Sequence, residues 1–293
     1  MFALRQHTSD CIFKVMSSMS KEKWRPGRED VECFIEWDPT GVYIGELNGK
    51  PIGFVYMIKL HPTCCNFRCF FIEKTYRGNG YGIEMFKIAT KDLSPSQNII
   101  AYSMTDMVQK YKNRFGFQDY WIAPVFSINL SSALKKLSQF QTNSNSLVVK
   151  TFKEIDFKAL RDYDAVMFGY QREAFLNRFL ITLGTHARVA VSSDGTIVGY
   201  VVSRATYDTN DGYRLGPFYA NSLDIAIALL KALLKDIPTQ ESSLILDVPT
   251  SRNPDAKRLV EILDGAHLFD TTFIATKGIP NGHIEHCFAL VAP

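Results

Sequence analysis

The chain has 293 residues, 46% hydrophobic and 22% charged, proportions that exclude a disordered or fibrous protein and fit a soluble globular one. This length predicts two domains of ordinary size. Its net charge of +3, from 33 basic and 30 acidic residues, is too weak a bias to argue for a nucleic-acid partner.

Met1 to His7 lacks an apolar core of signal-peptide length, and Leu223 to Leu234 is broken by Asp224 and Lys231 and too short to span a bilayer. The expectation is a cytoplasmic protein with no membrane partner, whose Asn129-Leu130-Ser131 sequon stays unglycosylated.

In chain order, apolar periods and Ser/Thr/Asp caps predict helices near 9–20 and 28–36, then strands near 41–47, 51–60 and 66–73. A helix follows over about 80–93, a strand at 98–103, a helix at 105–115 and strands to about 129. Six cysteines (11, 33, 64, 65, 69 and 287) follow no disulfide framework. His61-x-x-Cys64-Cys65-x-x-x-Cys69 reads as a hairpin using Cys as a small apolar residue. Neighbours on a strand face opposite ways, so Cys64 and Cys65 do not suit one tetrahedral ion, and no metal is expected.

The most informative stretch is Arg77-Gly78-Asn79-Gly80-Tyr81-Gly82, between the apolar run Phe67–Ile72 and the helix-period run Ile83–Ala89. A strand, a glycine turn and a helix N-terminus make a main-chain cradle for phosphate. It lacks the Gly-Lys-Ser/Thr of a P-loop, because Ile83 and Glu84 follow Gly82. The dinucleotide fingerprint spaces its last glycines three apart, whereas Gly80 and Gly82 are two apart. Arg77, Gly80 and Gly82 fit R/Q-x-x-G-x-G/A, and the segment resembles the pyrophosphate loop of the GNAT acyl-CoA N-acyltransferases. Tyr111-Lys112-Asn113-Arg114-Phe115-Gly116-Phe117, an aromatic helix ending in Gly-Phe about 30 residues on, resembles the same family.

The resemblance implies an α/β (α+β) GNAT fold, a mixed, mostly antiparallel sheet flanked by helices. It implies acetyl-CoA as cofactor and a small-molecule or peptide amine as partner, with homodimerisation left open. Phe70, Phe71 and Ile72 would bond the pantetheine arm, and Arg77, Gly78, Asn79, Gly80, Tyr81, Gly82 and Ile83 the diphosphate. Glu73 is the expected general base and Trp24 would line the amine pocket. Tyr111 would protonate the thiolate, although it stands six residues before Phe117 where many members place a tyrosine five before. One residue turns a helical side chain by about 100°.

Gly49-x-x-Ile52-Gly53-Phe54-Val55 returns as Gly195-x-x-Val198-Gly199-Tyr200-Val201, half a chain length later. The repeat predicts two tandem copies: a first domain over 1–130, a linker at 131–146 and a second domain over 147–293. In the second copy Tyr213–Ala220 reads as a strand and Leu223–Lys235 as a helix capped by Ser222, with no R-x-x-G-x-G between. With Phe168-Gly169-x-x-Arg172 and Gly265–Phe269, this half resembles the C-terminal domain of tandem GNAT proteins of the holothin acyltransferase-like group. His283 and His286 beside Cys287 read as incidental. The expected function is acyltransfer from acyl-CoA to a primary amine by direct attack through a tetrahedral intermediate. The alternatives are a non-catalytic acyl-CoA-binding or regulatory protein and, more weakly, a nucleotide binder.

Overall fold

The computed structural model describes residues 1–7, 11–140, 147–238 and 242–291. Its first half runs β1 (Phe2–Gln6), α1 (Ile12–Lys21), α2 (Asp30–Trp37), β2 (Val42–Leu47), β3 (Lys50–His61), β4 (Cys64–Ile72), α3 (Tyr81–Thr90), β5 (Asn98–Met104), α4 (Val108–Phe115), β6 (Gln118–Asn129) and α5 (Leu130–Ser138). The second runs β7 (Leu147–Thr151), α6 (Phe157–Phe168), α7 (Glu173–Leu180), β8 (Thr185–Ser192), β9 (Ile197–Ala205), β10 (Tyr213–Ala220), α8 (Leu223–Leu233), β11 (Ser243–Asp247), α9 (Pro254–Ile262), β12 (Ala266–Ala275) and β13 (Cys287–Ala289).

Every element expected in the first half is present, and β1 is an addition that the sequence reading missed. The expected start of α1 at residue 9 falls outside the described residues, as do 141–146 of the expected linker. The first part of that linker is helical, as α5. The repeated phrases occupy equivalent hairpins: Gly49 and Gly195 turn them at φ +77° and +87°. Four residues on, Gly53 and Gly199 face main-chain carbonyls that a Cβ would strike.

One sheet carries both halves, in the order β1-β2-β3-β4-β5-β12-β6-β11-β10-β9-β8-β7, with β13 on β10. It is antiparallel except where β4 meets β5 and β10 meets β11. The last long strands are exchanged: β12 pairs with β5 and β6, and β6 pairs with β12 and β11. Each half therefore supplies the strand that closes the other's sheet.

The parallel pairs are short. β4 and β5 are bonded only over Cys64–Asn66 and Asn98–Ile100, then splay into a wedge. β10 and β11 are bonded only at Tyr213–Arg214 and Leu244–Ile245 before they too diverge. Helices α3 and α4 cover one face of the first half around Met85, Phe86 and Phe117. On the other face α2 meets α7, where Phe34 stacks on Phe175 with centroids 5.8 Å apart. Cys64 lies in the core of that second face and Cys65 in the core of the first, the opposed placement that strand alternation requires.

Candidate active site

The first wedge opens into a cleft of about 1030 Å³ lined by both halves. At one end is the glycine turn. Gly78 and Gly80 adopt φ +85° and +84°, and Gly80 is the left-handed residue from which α3 starts. The first intrahelical acceptor is the Gly80 carbonyl, bonded by Ile83 and Glu84. The amides of residues 78 to 82 have no acceptor among the described residues. A Cβ at Gly78 or Gly80 would meet nothing within 4 Å, so the space over these amides is open. Five unsatisfied N–H groups at a helix start form an anion site.

Arg77 donates Nε to the Ile72 carbonyl at 2.7 Å and pairs with Glu22 at 3.0 Å, bracing the turn against the end of β4. Asn79 is not on the cleft wall, because its amide folds back on the Tyr76 and Arg77 carbonyls. The other expected cofactor residues, Phe70 to Ile72, Arg77, Gly78 and Gly80 to Ile83, all line the cleft, and Lys110 and Arg114 of α4 add charge at its mouth. These features fit a diphosphate-bearing cofactor.

β4 carries a bulge in the wedge. Arg68 faces Tyr56 and Phe71 faces Phe54, leaving two residues opposite one, with Cys69 at φ +49°. The cleft crosses the sheet here, so Phe70 and Ile72 lie on the α3 side while Arg68 and Phe71 face α2 and the second half. Tyr111 also lines the cleft, its ring among Phe67, Phe70, Phe115 and Phe117, and burial pushes its hydroxyl well above the ordinary tyrosine value. The shifted helical register thus leaves Tyr111 on the cleft wall.

Glu73 requires correction. It does not line the cleft but turns to α1, where it pairs with Lys14 at 3.2 Å. Position at a strand end fixes height along the strand, and side-chain alternation sent this carboxylate to the far side. Three carboxylates do line the cleft: Glu22, Asp106 and Asp247. Asp247 is buried at the end of β11, paired with Arg214, and burial raises its carboxyl above the usual range despite that cation. No motif in the sequence marks Asp247, which simply follows the apolar run Leu244-Ile245-Leu246 at a strand end.

Trp24 lines the cleft edge-on to Phe71 at 6.2 Å. The loop that carries it is held by the second half. Arg214 donates to the Trp24 carbonyl at 2.9 Å, Arg28 N–H to Ala205 at 2.9 Å and Tyr207 N–H to Pro26 at 2.9 Å. Below the loop, Arg204 grips Asp30 through Nε at 2.8 Å and a second nitrogen at 3.0 Å, with both side chains buried.

The second wedge is built differently. β13 pairs with β10 inside it, Leu290 N–H donates to the Asp247 carbonyl and Asn253 donates to Cys287. At its edge α8 is capped by Ser222, which accepts from Ile225 N–H, and Asn221 N–H is bonded to Val198, so the row of amides without an acceptor among the described residues shortens to residues 222 to 224. Cys287, considered with the two histidines, is turned into the core. His283, Glu285 and His286 remain on an exposed turn with ligand atoms within 4.8 Å of one another.

Comparison with known proteins finds one family model in each half. Residues 9–117 match the acetyltransferase (GNAT) family model, and residues 160–289 match a further acetyltransferase (GNAT) domain model. The chain is a tandem GNAT protein. It is 27% identical over 230 residues to the holothin acyltransferase of Pseudoalteromonas sp. (strain SANK 73390), covering 78% of this chain and 72% of that one. A Pyrococcus horikoshii protein provisionally assigned as an acetyltransferase superposes with a TM-score of 0.76 at 17% identity, covering 99% and 94% of the two chains. A tandem GNAT protein from the clavulanic acid biosynthesis pathway superposes at 0.64 with 12% identity, covering 94% and 98%. These two likenesses concern the fold. This tandem GNAT chain is thus an acyltransferase-family protein with a mixed, mostly antiparallel sheet flanked by helices in two copies. Among its described residues no helix is long and apolar enough to cross a membrane.

Proposed function

We propose that the protein is an N-acyltransferase that moves an acetyl or other short acyl group from acyl-CoA to a primary amine. The observation that carries this reading is the row of five unpaired amides, residues 78 to 82, opening on a cleft that crosses the sheet. Residues 78 to 83 would hold the diphosphate, Lys110 and Arg114 would attract the remaining phosphate charge, and Phe70 to Ile72 would guide the pantetheine arm. Acyl-CoA would supply the thioester carbonyl.

The chain's own groups then have distinct duties. Trp24 and Phe71 wall the amine end. Asp247, held deprotonated less readily than an ordinary carboxylate, takes the ammonium proton in place of Glu73. Tyr111 stays protonated at neutral pH and donates to the departing sulfur. Cys69 lines the cleft, but burial pushes its thiol up to about 12, so it makes a poor nucleophile near neutrality and direct transfer is favoured over an acyl-enzyme.

Acetyl-CoA should raise the melting temperature, and a screen of amines should reveal amine-dependent thiol release. Binding without release from any amine would favour a non-catalytic acyl-CoA-binding role.

A further inference from the structure

Resting on that reading, the acceptor end of the cleft says which amines belong there. Three arginines line it on the α2 side: Arg68, Arg172 and Arg214. Arg172 is gripped by Asp164 through two nitrogens, at 2.7 and 2.6 Å, and Arg214 is paired with Asp247. Arg68 has no carboxylate partner among the described residues. Its guanidinium lies 4.5 Å over the Phe34 ring and makes one hydrogen bond, from Nη2 to the Val291 carbonyl at 2.8 Å. Arg214 adds to the imbalance, because its Nε is buried with no acceptor.

A half-buried guanidinium with most of its five donors unused is costly unless something completes it. Its stacking on Phe34 and its one carbonyl contact leave the rest of the donor fork unmatched. Its surroundings are apolar, with Phe71, Met167, Phe168, Tyr170 and Ile284 on the same wall. A planar fork with an unmatched charge matches a carboxylate, which it can bind through two parallel N–H···O bonds. We propose that the acceptor is an amino carboxylic acid with an apolar body, its carboxylate seated on Arg68 and its amine turned toward the wedge between β4 and β5.

The experiment has a turnover arm and a binding arm. In the first, glycine, leucine and phenylalanine are compared with methylamine, isopentylamine and phenethylamine by thiol release from acetyl-CoA. In the second, the melting temperature of the CoA-loaded wild type is read with 3-phenylpropanoate, 3-phenylpropanol and inorganic phosphate. The carboxylate member of each pair should be favoured, and among the binding probes 3-phenylpropanoate alone should raise the melting temperature. In Arg68→Gln that preference, as a ratio of kcat/KM, should fall by about ten- to a hundredfold while the CoA-induced shift persists. Arg68→Lys, which keeps charge without the fork, should fall between and serves if the Gln variant does not fold.

A CoA-induced shift together with equal treatment of acids and their decarboxylated partners, or a stronger response to phosphate, overturns the carboxylate assignment and leaves acyltransfer standing. If neither variant folds, the wild-type arms alone decide. Loss of both the CoA shift and all thiol release would instead remove the underlying function.

Discussion

The two wedges of this sheet begin alike and end in opposite states. Each forms where two parallel strands part after two or three paired residues, with a strand-to-helix turn at its edge. In the first, the turn has glycines at positive φ and leaves amides 78 to 82 unbonded, so the wedge stays an open cleft. In the second, the Ser222 cap and the Asn221 bond shorten the free row to residues 222 to 224, and β13 lies between the strands, bonding β10 where a cofactor arm would otherwise lie. A main-chain groove must be filled by ligand or by protein, since buried N–H and C=O groups left without partners are expensive. Duplication thus supplied two candidate grooves, and the second half was free to spend its side chains on the first. Arg214, Arg204 and Asp247 all reach the loop or cleft of the other copy.

The sharpest way to break this comparison is a matched pair of substitutions. Gly80→Glu should abolish the acetyl-CoA thermal shift by placing a carboxylate where diphosphate would bind, whereas Ser222→Glu at the equivalent turn should leave it intact. Asp247→Asn comes next. General-base assistance contributes about 10²–10⁴-fold, so kcat should fall within that range. In the wild type, kcat/KM should rise with pH on a limb above the usual carboxylate range, because burial raises the Asp247 carboxyl and only its deprotonated form accepts a proton. The variant should lose that limb and keep only the ionisation of the amine. An unchanged pH profile would remove Asp247 as base.

Asp30→Ala tests whether the halves share one acceptor loop. It leaves Arg204 buried without its bidentate partner and should cost about 3–5 kcal/mol in urea unfolding. Acceptor KM should rise as the Trp24 loop loosens. The smallest effects are expected from Gly49→Ala and Gly195→Ala. Both positions have positive φ and open space, so each should cost about 1–2 kcal/mol by backbone strain alone, and nearly equally. A large inequality would break the equivalence of the two hairpins.

Much of this was legible because it is local. Glycine spacing announced the cradle, a repeated seven-residue phrase announced the second copy, and Ser222 before an apolar helix announced its cap. What stayed hidden was set by distant pairing. Nothing near Ala266 or Gln118 says that β12 and β6 change places, since strand partners are chosen by closure of the whole sheet. The three residues of β13 are too few to show a period, so the filling of the second wedge was invisible. Glu73 illustrates a finer failure: its height beside the cleft was foreseeable, but the face it points to depended on the bulge at Cys69. Arg68, a lone charge among Phe67, Cys69 and Phe70, gained meaning only once its neighbours' pairing could be inspected.

A crystal structure of the full chain with coenzyme A bears most directly on the central claim. The account predicts one cofactor per chain, its diphosphate on the amides of residues 78 to 82 and β13 still seated between β10 and β11. Density for the diphosphate anywhere else, or a cofactor that displaces β13 from the second wedge, would contradict it.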